Sequence, residues 1–172
     1  LLRSLSANGP YLEVDVFDAQ ASEVDLRETY LPAFRATVTE AQAESVMCAY
    51  NRFRGDPACG STLLLQDFLR DAWGFGGYVV SDCGAVQDIY LNHEVRDTPA
   101  EGAAMALLAG TDLECGSGSW SPGSPDAFFA LDEAVAQGLV QESDLDVALR
   151  RLFRAQFRLG VYDPPDRLPW AG

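Results

Sequence analysis

The chain has 172 residues, 48% of them apolar and 22% charged, the composition of a soluble globular domain long enough to bury a core. Its 26 acidic and 12 basic residues leave a net charge of -14, which repels phosphate backbones and anionic lipid surfaces and so excludes nucleic acid as a partner. No apolar run approaches the ~18 residues of a spanning helix, so no membrane association is expected.

In chain order, Leu1-Leu2-Arg3-Ser4-Leu5-Ser6 has neither an initiating Met nor the basic and apolar regions of a signal peptide, and the natural start is expected upstream. Ser22 with Asp25 resembles a capping box. Leu26 to Ala43 carries apolar residues at helical spacing, with Pro32 set to kink that helix or delay its start. Three β-rich runs follow, Ser45 to Tyr50, Tyr78 to Asp82 and Thr111 to Cys115, and their starts fall 33 residues apart each time. That period is close to the ~30 residues of one strand-helix unit.

Helix signals fill the intervals. Ser61 or Thr62 can cap Leu63 to Trp73, which Gly74 and Gly76-Gly77 then break. Thr98-Pro99 opens a helix, and Gly110 closes it where a left-handed residue is wanted. Asp126 to Gln137 ends at Gly138, and Ser143 can cap a last helix whose Leu145, Leu149, Leu152, Phe153 and Phe157 face one way. Residues 163–172, with Asp163-Pro164-Pro165-Asp166 and Pro169, read as an irregular linker toward a further domain.

Regular strand-helix alternation predicts an α/β fold with a parallel sheet, either a barrel or a doubly wound open sheet. A closed (β/α)8 barrel takes ~250 residues, so three to four units amount to a piece of one. The four cysteines, Cys48, Cys59, Cys83 and Cys115, are separated by 11, 24 and 32 positions, matching neither a redox pair nor a zinc framework. No metal is expected, and the cysteines read as small buried hydrophobes.

In such a fold, reactive residues gather at the C-terminal ends of strands. This singles out Tyr50-Asn51, Ser81-Asp82-Cys83, and Asp112 with Glu114. Asp82, directly after the apolar strand Tyr78-Val79-Val80, fits a nucleophile, a general acid or a metal ligand, or a turn residue before Gly84. Asp112 and Glu114 read first as caps of the following turn. His93, among Asn92, Glu94 and Arg96, reads as a residue of a solvated loop, against a His-dependent triad. Trp120 fits either a sugar platform or a loop Trp closing over its own domain.

Met47-Cys48-Ala49-Tyr50-Asn51, Pro57-Ala58-Cys59 and the run Trp73-Gly74-Phe75-Gly76-Gly77-Tyr78-Val79-Val80-Ser81-Asp82-Cys83-Gly84-Ala85 closely resemble glycoside hydrolase family 3 in order and spacing. Asp25 to Phe34 upstream, and Ala109 to Gly116 and Phe157 to Pro165 downstream, extend the likeness from about Phe17 to Pro165. The resemblance implies that residues 1–162 are the C-terminal half of the family's catalytic (β/α)8 barrel, with a second domain beyond.

It also implies retaining hydrolysis of terminal β-linked xylose or glucose from oligosaccharides or aryl glycosides, without a cofactor. Asp82 then aligns with the nucleophile, and Tyr50 with a tyrosine beside the sugar of the first subsite. Cys83 stands where many β-glucosidases of the family carry Trp, a form more like the β-xylosidases. Many members are exported, so a periplasmic or secreted location is expected.

Departures accompany the match. The family's Lys-His pair is absent near Leu2-Arg3-Ser4, and an arginine is lost around Val14-Asp15. The acid/base carboxylate, on the second domain, would lie beyond Gly172, so the chain alone is expected to be inactive. A non-catalytic carbohydrate-binding or interaction remnant of the same barrel is the alternative those departures leave open.

Overall fold

The computed structural model describes residues 15–116 and 126–168. Leu2-Arg3-Ser4, Val14 and the Trp120 loop therefore lie outside the described residues, as does the end of the expected linker from Pro169.

Strand β1 (Asp18–Ala19) leads to α1 (Glu23–Asp25), where Ser22 Oγ accepts from the Asp25 N–H at 3.1 Å. A π-wound stretch, Leu26–Tyr30, continues it, and α2 (Pro32–Thr39) starts afresh at the proline, which has no N–H to continue the preceding turn. After β2 (Ser45–Cys48) comes a hairpin of β3 (Arg52–Phe53) and β4 (Asp56–Pro57) that the sequence reading omitted. Its two central residues both take positive φ, Arg54 at 53° and Gly55 at 91°, as a tight two-residue hairpin requires. Helix α3 (Leu63–Ala72) is π-wound, and its start is fastened by Ser61 Oγ on the Leu64 N–H at 3.4 Å; Ser61, not Thr62, makes this contact. It buries Leu65, Phe68 and Leu69 on one face.

Strand β5 (Tyr78–Ser81) lies parallel to β2 in the register Ser45↔Tyr78 through Cys48↔Ser81. Gly77 permits the approach, because a Cβ there would come 2.1 Å from the Glu44 carbonyl. On the other side of β5 the third run is held by one parallel bridge, Val80↔Leu113, with Ser81 N–H on the Leu113 carbonyl at 2.9 Å. The 33-residue period is thus the register itself: Met47, Val80 and Leu113 form one row across three parallel segments. Met47 and Leu113 are exposed on that face, while Val79 on the opposite face is fully buried.

Helix α4 (Asp88–Leu91) follows β5, and α5 (Pro99–Ala109) has the full capping box of Thr98 and Glu101 and ends at Gly110 with φ 113°. A 3-10 turn (Ala127–Ala130) leads into α6 (Leu131–Ala136), and α7 (Glu142–Arg158) closes the fold against α5 and β5. Val79, Val86, Ile89, Leu65, Leu69 and Phe75 share one core beneath the sheet. Each such large apolar side chain contributes about 1.5–3 kcal/mol by leaving water.

Several expectations are corrected. Helix α7 begins at Glu142 with Gln141 as its cap residue, whose N–H bonds Asp144 Oδ2 at 2.9 Å; Ser143 is already inside the helix. Leu149, Phe153 and Phe157 do face one way, and that side is exposed, while Ala148 and Ala155 pack inward. Close packing against β5 and α5 favours the small side chains there. Pro165–Arg167 forms a 3-10 turn, since proline's fixed φ suits a helical first turn.

The cysteines are not isolated hydrophobes. Cys48 is bonded to Cys59 and Cys83 to Cys115. Adjacent parallel strands send their loops off the same end, which brings the Cα atoms of Cys83 and Cys115 to 4.3 Å.

Candidate active site

Tyr50 and Asp82 leave the C-terminal ends of β2 and β5, and the parallel pairing brings them together. The Tyr50 hydroxyl donates to Asp82 Oδ1 at 3.0 Å, and the Cys83 N–H donates to the same oxygen at 2.9 Å. Asp82 is itself fixed by its own N–H on the Cys48 carbonyl at 3.0 Å. A carboxylate at the end of β5, tied through its own N–H to β2 and held by these two donors, keeps one orientation, which suits a nucleophile. Cys83 adds a wall beside it: its disulfide to Cys115 joins the loops after β5 and the third run, and Gly84 N–H meets the Cys115 carbonyl at 2.9 Å.

The other two carboxylates are occupied structurally. Asp112 has a side chain 1% exposed and pairs through Oδ2 with Arg70 and through Oδ1 with Arg151, each at 2.7 Å. Its Oδ2 also accepts from the Val79 N–H at 2.8 Å, while Arg70 reaches the Gly77 and Gly110 carbonyls. This network ties α3, β5, the third run and α7 at the strand starts, away from Asp82. Burial lowers the Arg70 pKa from its ordinary value, and Asp112 counteracts that. Glu114 accepts the Ala127 and Phe128 N–H groups at 2.9 and 2.6 Å, so it caps the 3-10 turn. Burial pushes its carboxyl up, and those two amides partly offset the push.

His93 is not in a solvated loop. Its N–H returns to the Asp88 carbonyl at 2.7 Å and Glu94 follows at φ 52°, a tight turn that buries the ring to 6% exposure. Burial drives its pKa down to about 4, so the imidazole is neutral. The carbonyls of Asp15 and Tyr50 favour the charged form, but neither ring nitrogen reaches hydrogen-bonding geometry. Asp88 is buried beside it; desolvation pushes its carboxyl up to about 7 against the pull of Asn92 Nδ2 on its Oδ1 at 2.6 Å.

Sequence reasoning therefore placed Tyr50, Asp82 and Cys83 together, and missed both disulfides beside them, Cys83 to Cys115 and Cys48 to Cys59. The available signal was two Cys at corresponding ends of consecutive repeat units. Among the described residues no group of three or more His, Cys, Asp or Glu is arranged to hold a metal ion, and no helix is long and apolar enough to cross a membrane.

Residues 13–155 match the model of the glycosyl hydrolase family 3 N-terminal domain. A xylan 1,4-β-xylosidase of Xylanibacter ruminicola is 47% identical over 147 residues, which cover 86% of this chain and 16% of that protein. A probable exo-1,4-β-xylosidase of Aspergillus clavatus is 45% identical over 159 residues, covering 90% of this chain and 19% of the relative.

Among solved structures, a family 3 exo-β-xylosidase bound to a xylobiose aziridine activity-based probe superposes with a TM-score of 0.83 at 32% identity, covering 92% of this chain and 20% of that one. A β-glucosidase from Listeria innocua in complex with glucose gives 0.75 at 32% identity, covering 86% and 19%. The chain thus spans about a fifth of the length of the relatives it matches.

Proposed function

The chain belongs to glycosyl hydrolase family 3, and from that premise we propose that it carries the nucleophile of a retaining β-glycosidase that removes terminal β-linked xylose from oligosaccharides. The observation that carries this reading is the Asp82 carboxylate at the end of β5, with Tyr50 and the Cys83 N–H both on Oδ1.

In the proposed reaction Asp82 attacks the anomeric carbon, the bond to the leaving oxygen breaks, and that oxygen takes a proton from an acid supplied elsewhere in the longer protein. Water then attacks the same carbon, the ester bond to Asp82 breaks, and the sugar leaves with its configuration retained. Tyr50 lies beside the sugar in the first subsite. The three parallel segments are consecutive strands of the C-terminal half of a (β/α)8 barrel, and the open row of Met47, Val80 and Leu113 faces its interior.

Xylose is favoured over glucose because Cys83, bonded to Cys115, follows the nucleophile where many β-glucosidases of the family carry Trp. The names of the curated relatives support the same choice. Two disulfides also support an oxidising compartment, periplasmic or extracellular.

The test is a full-length relative whose matching segment is replaced by residues 15–168 of this chain. It should cleave an aryl β-xyloside in preference to the aryl β-glucoside, with the β-anomer of xylose as first product by NMR. Sugar binding without turnover by a folded chimera would instead identify a non-catalytic remnant.

A further inference from the structure

The two donors on Asp82 Oδ1 are each next to one half of a disulfide. Cys48, two residues before Tyr50, is bonded to Cys59; Cys83, whose N–H is the second donor, is bonded to Cys115. The first bond closes the loop that carries Tyr50, Asn51 and the β3–β4 hairpin. The second ties the residue after Asp82 to the end of the third run.

Hydrogen bonding holds this corner incompletely. Asn51 Oδ1, Arg52 Nε and both nitrogens of His93 are buried and have no hydrogen-bond partner. Buried polar groups left unmet cost stability, so this corner draws less order from side-chain hydrogen bonds than a fully paired network would. The backbone bonds that flank the carboxylate, Asp82 N–H on the Cys48 carbonyl at 3.0 Å and Gly84 N–H on the Cys115 carbonyl at 2.9 Å, each end on a disulfide cysteine, so the covalent links stand behind both.

We infer that Cys59 and Cys115 are positioning residues for Asp82: through Cys48 and Cys83 they keep the Tyr50 hydroxyl and the Cys83 amide on Oδ1, which makes the site sensitive to redox conditions. A dithiol such as dithiothreitol would open each bond by giving up two electrons and two protons. Two cysteine thiols form, and the reagent becomes its cyclic disulfide. The β2–β5 ladder does not depend on either link, so the sheet persists while the two donors drift. This inference rests on Asp82 being the nucleophile only for its catalytic consequence. The geometric claim stands apart from it.

The experiment is native-state amide exchange on the whole chain, with the Cys83 amide followed against Val79 and Val80 in β5. Cys115→Ala, and mild dithiothreitol treatment of the unaltered chain, should speed exchange at Cys83 by roughly tenfold or more, as for one lost charge-assisted hydrogen bond, while Val79 and Val80 stay protected. Cys59→Ala should shift the Tyr50 ring-carbon resonance and leave the Cys83 amide slow. Reoxidation of the reduced chain should restore both signals.

Unchanged exchange at Cys83 in reduced, folded protein would overturn the inference. So would loss of protection throughout β5 on reduction, because the disulfides would then hold the whole fold and not the site. These readouts need no sugar, so they are independent of whether Asp82 is labelled by substrate.

Discussion

The Tyr50 hydroxyl donates to Asp82 Oδ1 at 3.0 Å, so the residues that end two neighbouring parallel strands meet over the sheet's C-terminal edge. A hydrogen bond to a charged group is worth about 1.5–3 kcal/mol. In the full-length chimera, Tyr50→Phe should therefore slow formation of the glycosyl-enzyme by roughly tenfold to a hundredfold. Pre-steady-state release of nitrophenol measures it. A rate within twofold of the parent would remove Tyr50 from the site.

Asp112 is expected to matter for stability and not for chemistry. Asp112→Ala leaves Arg70, whose side chain is 6% exposed, as a buried charge without its partner. Breaking such a pair costs about 3–5 kcal/mol. Urea denaturation of the isolated chain should show a midpoint lowered accordingly, or no cooperative transition. A midpoint equal to that of the parent would contradict the network described for α3, β5 and α7.

Asp88 and His93 oppose each other in pH dependence. The Asp88 pKa is raised from 3.8 to about 7, so between those values the folded chain holds a proton that the unfolded chain has lost, and stability falls as pH rises. The His93 pKa is lowered from 6.5 to about 4, so in that window the unfolded chain holds the extra proton and stability rises with pH. From about 4 to 6.5 the two slopes cancel. Asp88→Asn should unmask a rise in urea midpoint with pH over that window, and His93→Gln a fall that continues to about 7. Parallel profiles for the two variants would show that these groups do not titrate as their burial implies.

The outward side of α7 should make the isolated chain associate. Leu149, Phe153 and Phe157 are 44%, 45% and 65% exposed, and the exposed Tyr162 ring packs against Phe157 with centroids 4.9 Å apart. Contiguous apolar patches of this kind drive contact between copies. Sedimentation velocity should detect oligomers at micromolar concentration, and Phe153→Glu with Phe157→Glu should shift the chain toward monomer without loss of helix. A monomeric parent chain would contradict this.

Most of the α/β frame was legible because it is written in local signals. Thr98, Pro99 and Gly110 bracket α5 as their cap chemistry requires, and the 33-residue spacing reappears as the register Ser45↔Tyr78 and Val80↔Leu113. Non-local geometry was less accessible. The 32 positions between Cys83 and Cys115 say nothing of pairing until the strands are known to lie side by side. His93 misled because its polar neighbours suggest solvent, while the turn at Glu94 sends only the ring inward. The β3–β4 hairpin had a signal in Gly55 between Phe53 and Pro57, weakened by Arg54 in a position that usually takes Asn, Asp or Gly.

The central claim is that Asp82 is the nucleophile. A 2-deoxy-2-fluoro-xyloside with an activated leaving group traps the covalent intermediate, and its good leaving group lessens the need for acid assistance. After incubation with the full-length chimera, digestion and mass spectrometry should place one fluoroxylosyl group on the peptide containing Tyr78 to Gly84, at Asp82, and Asp82→Ala should abolish labelling. A label on Asp112 or Glu114, or undiminished labelling of the Asp82→Ala protein, would contradict the account.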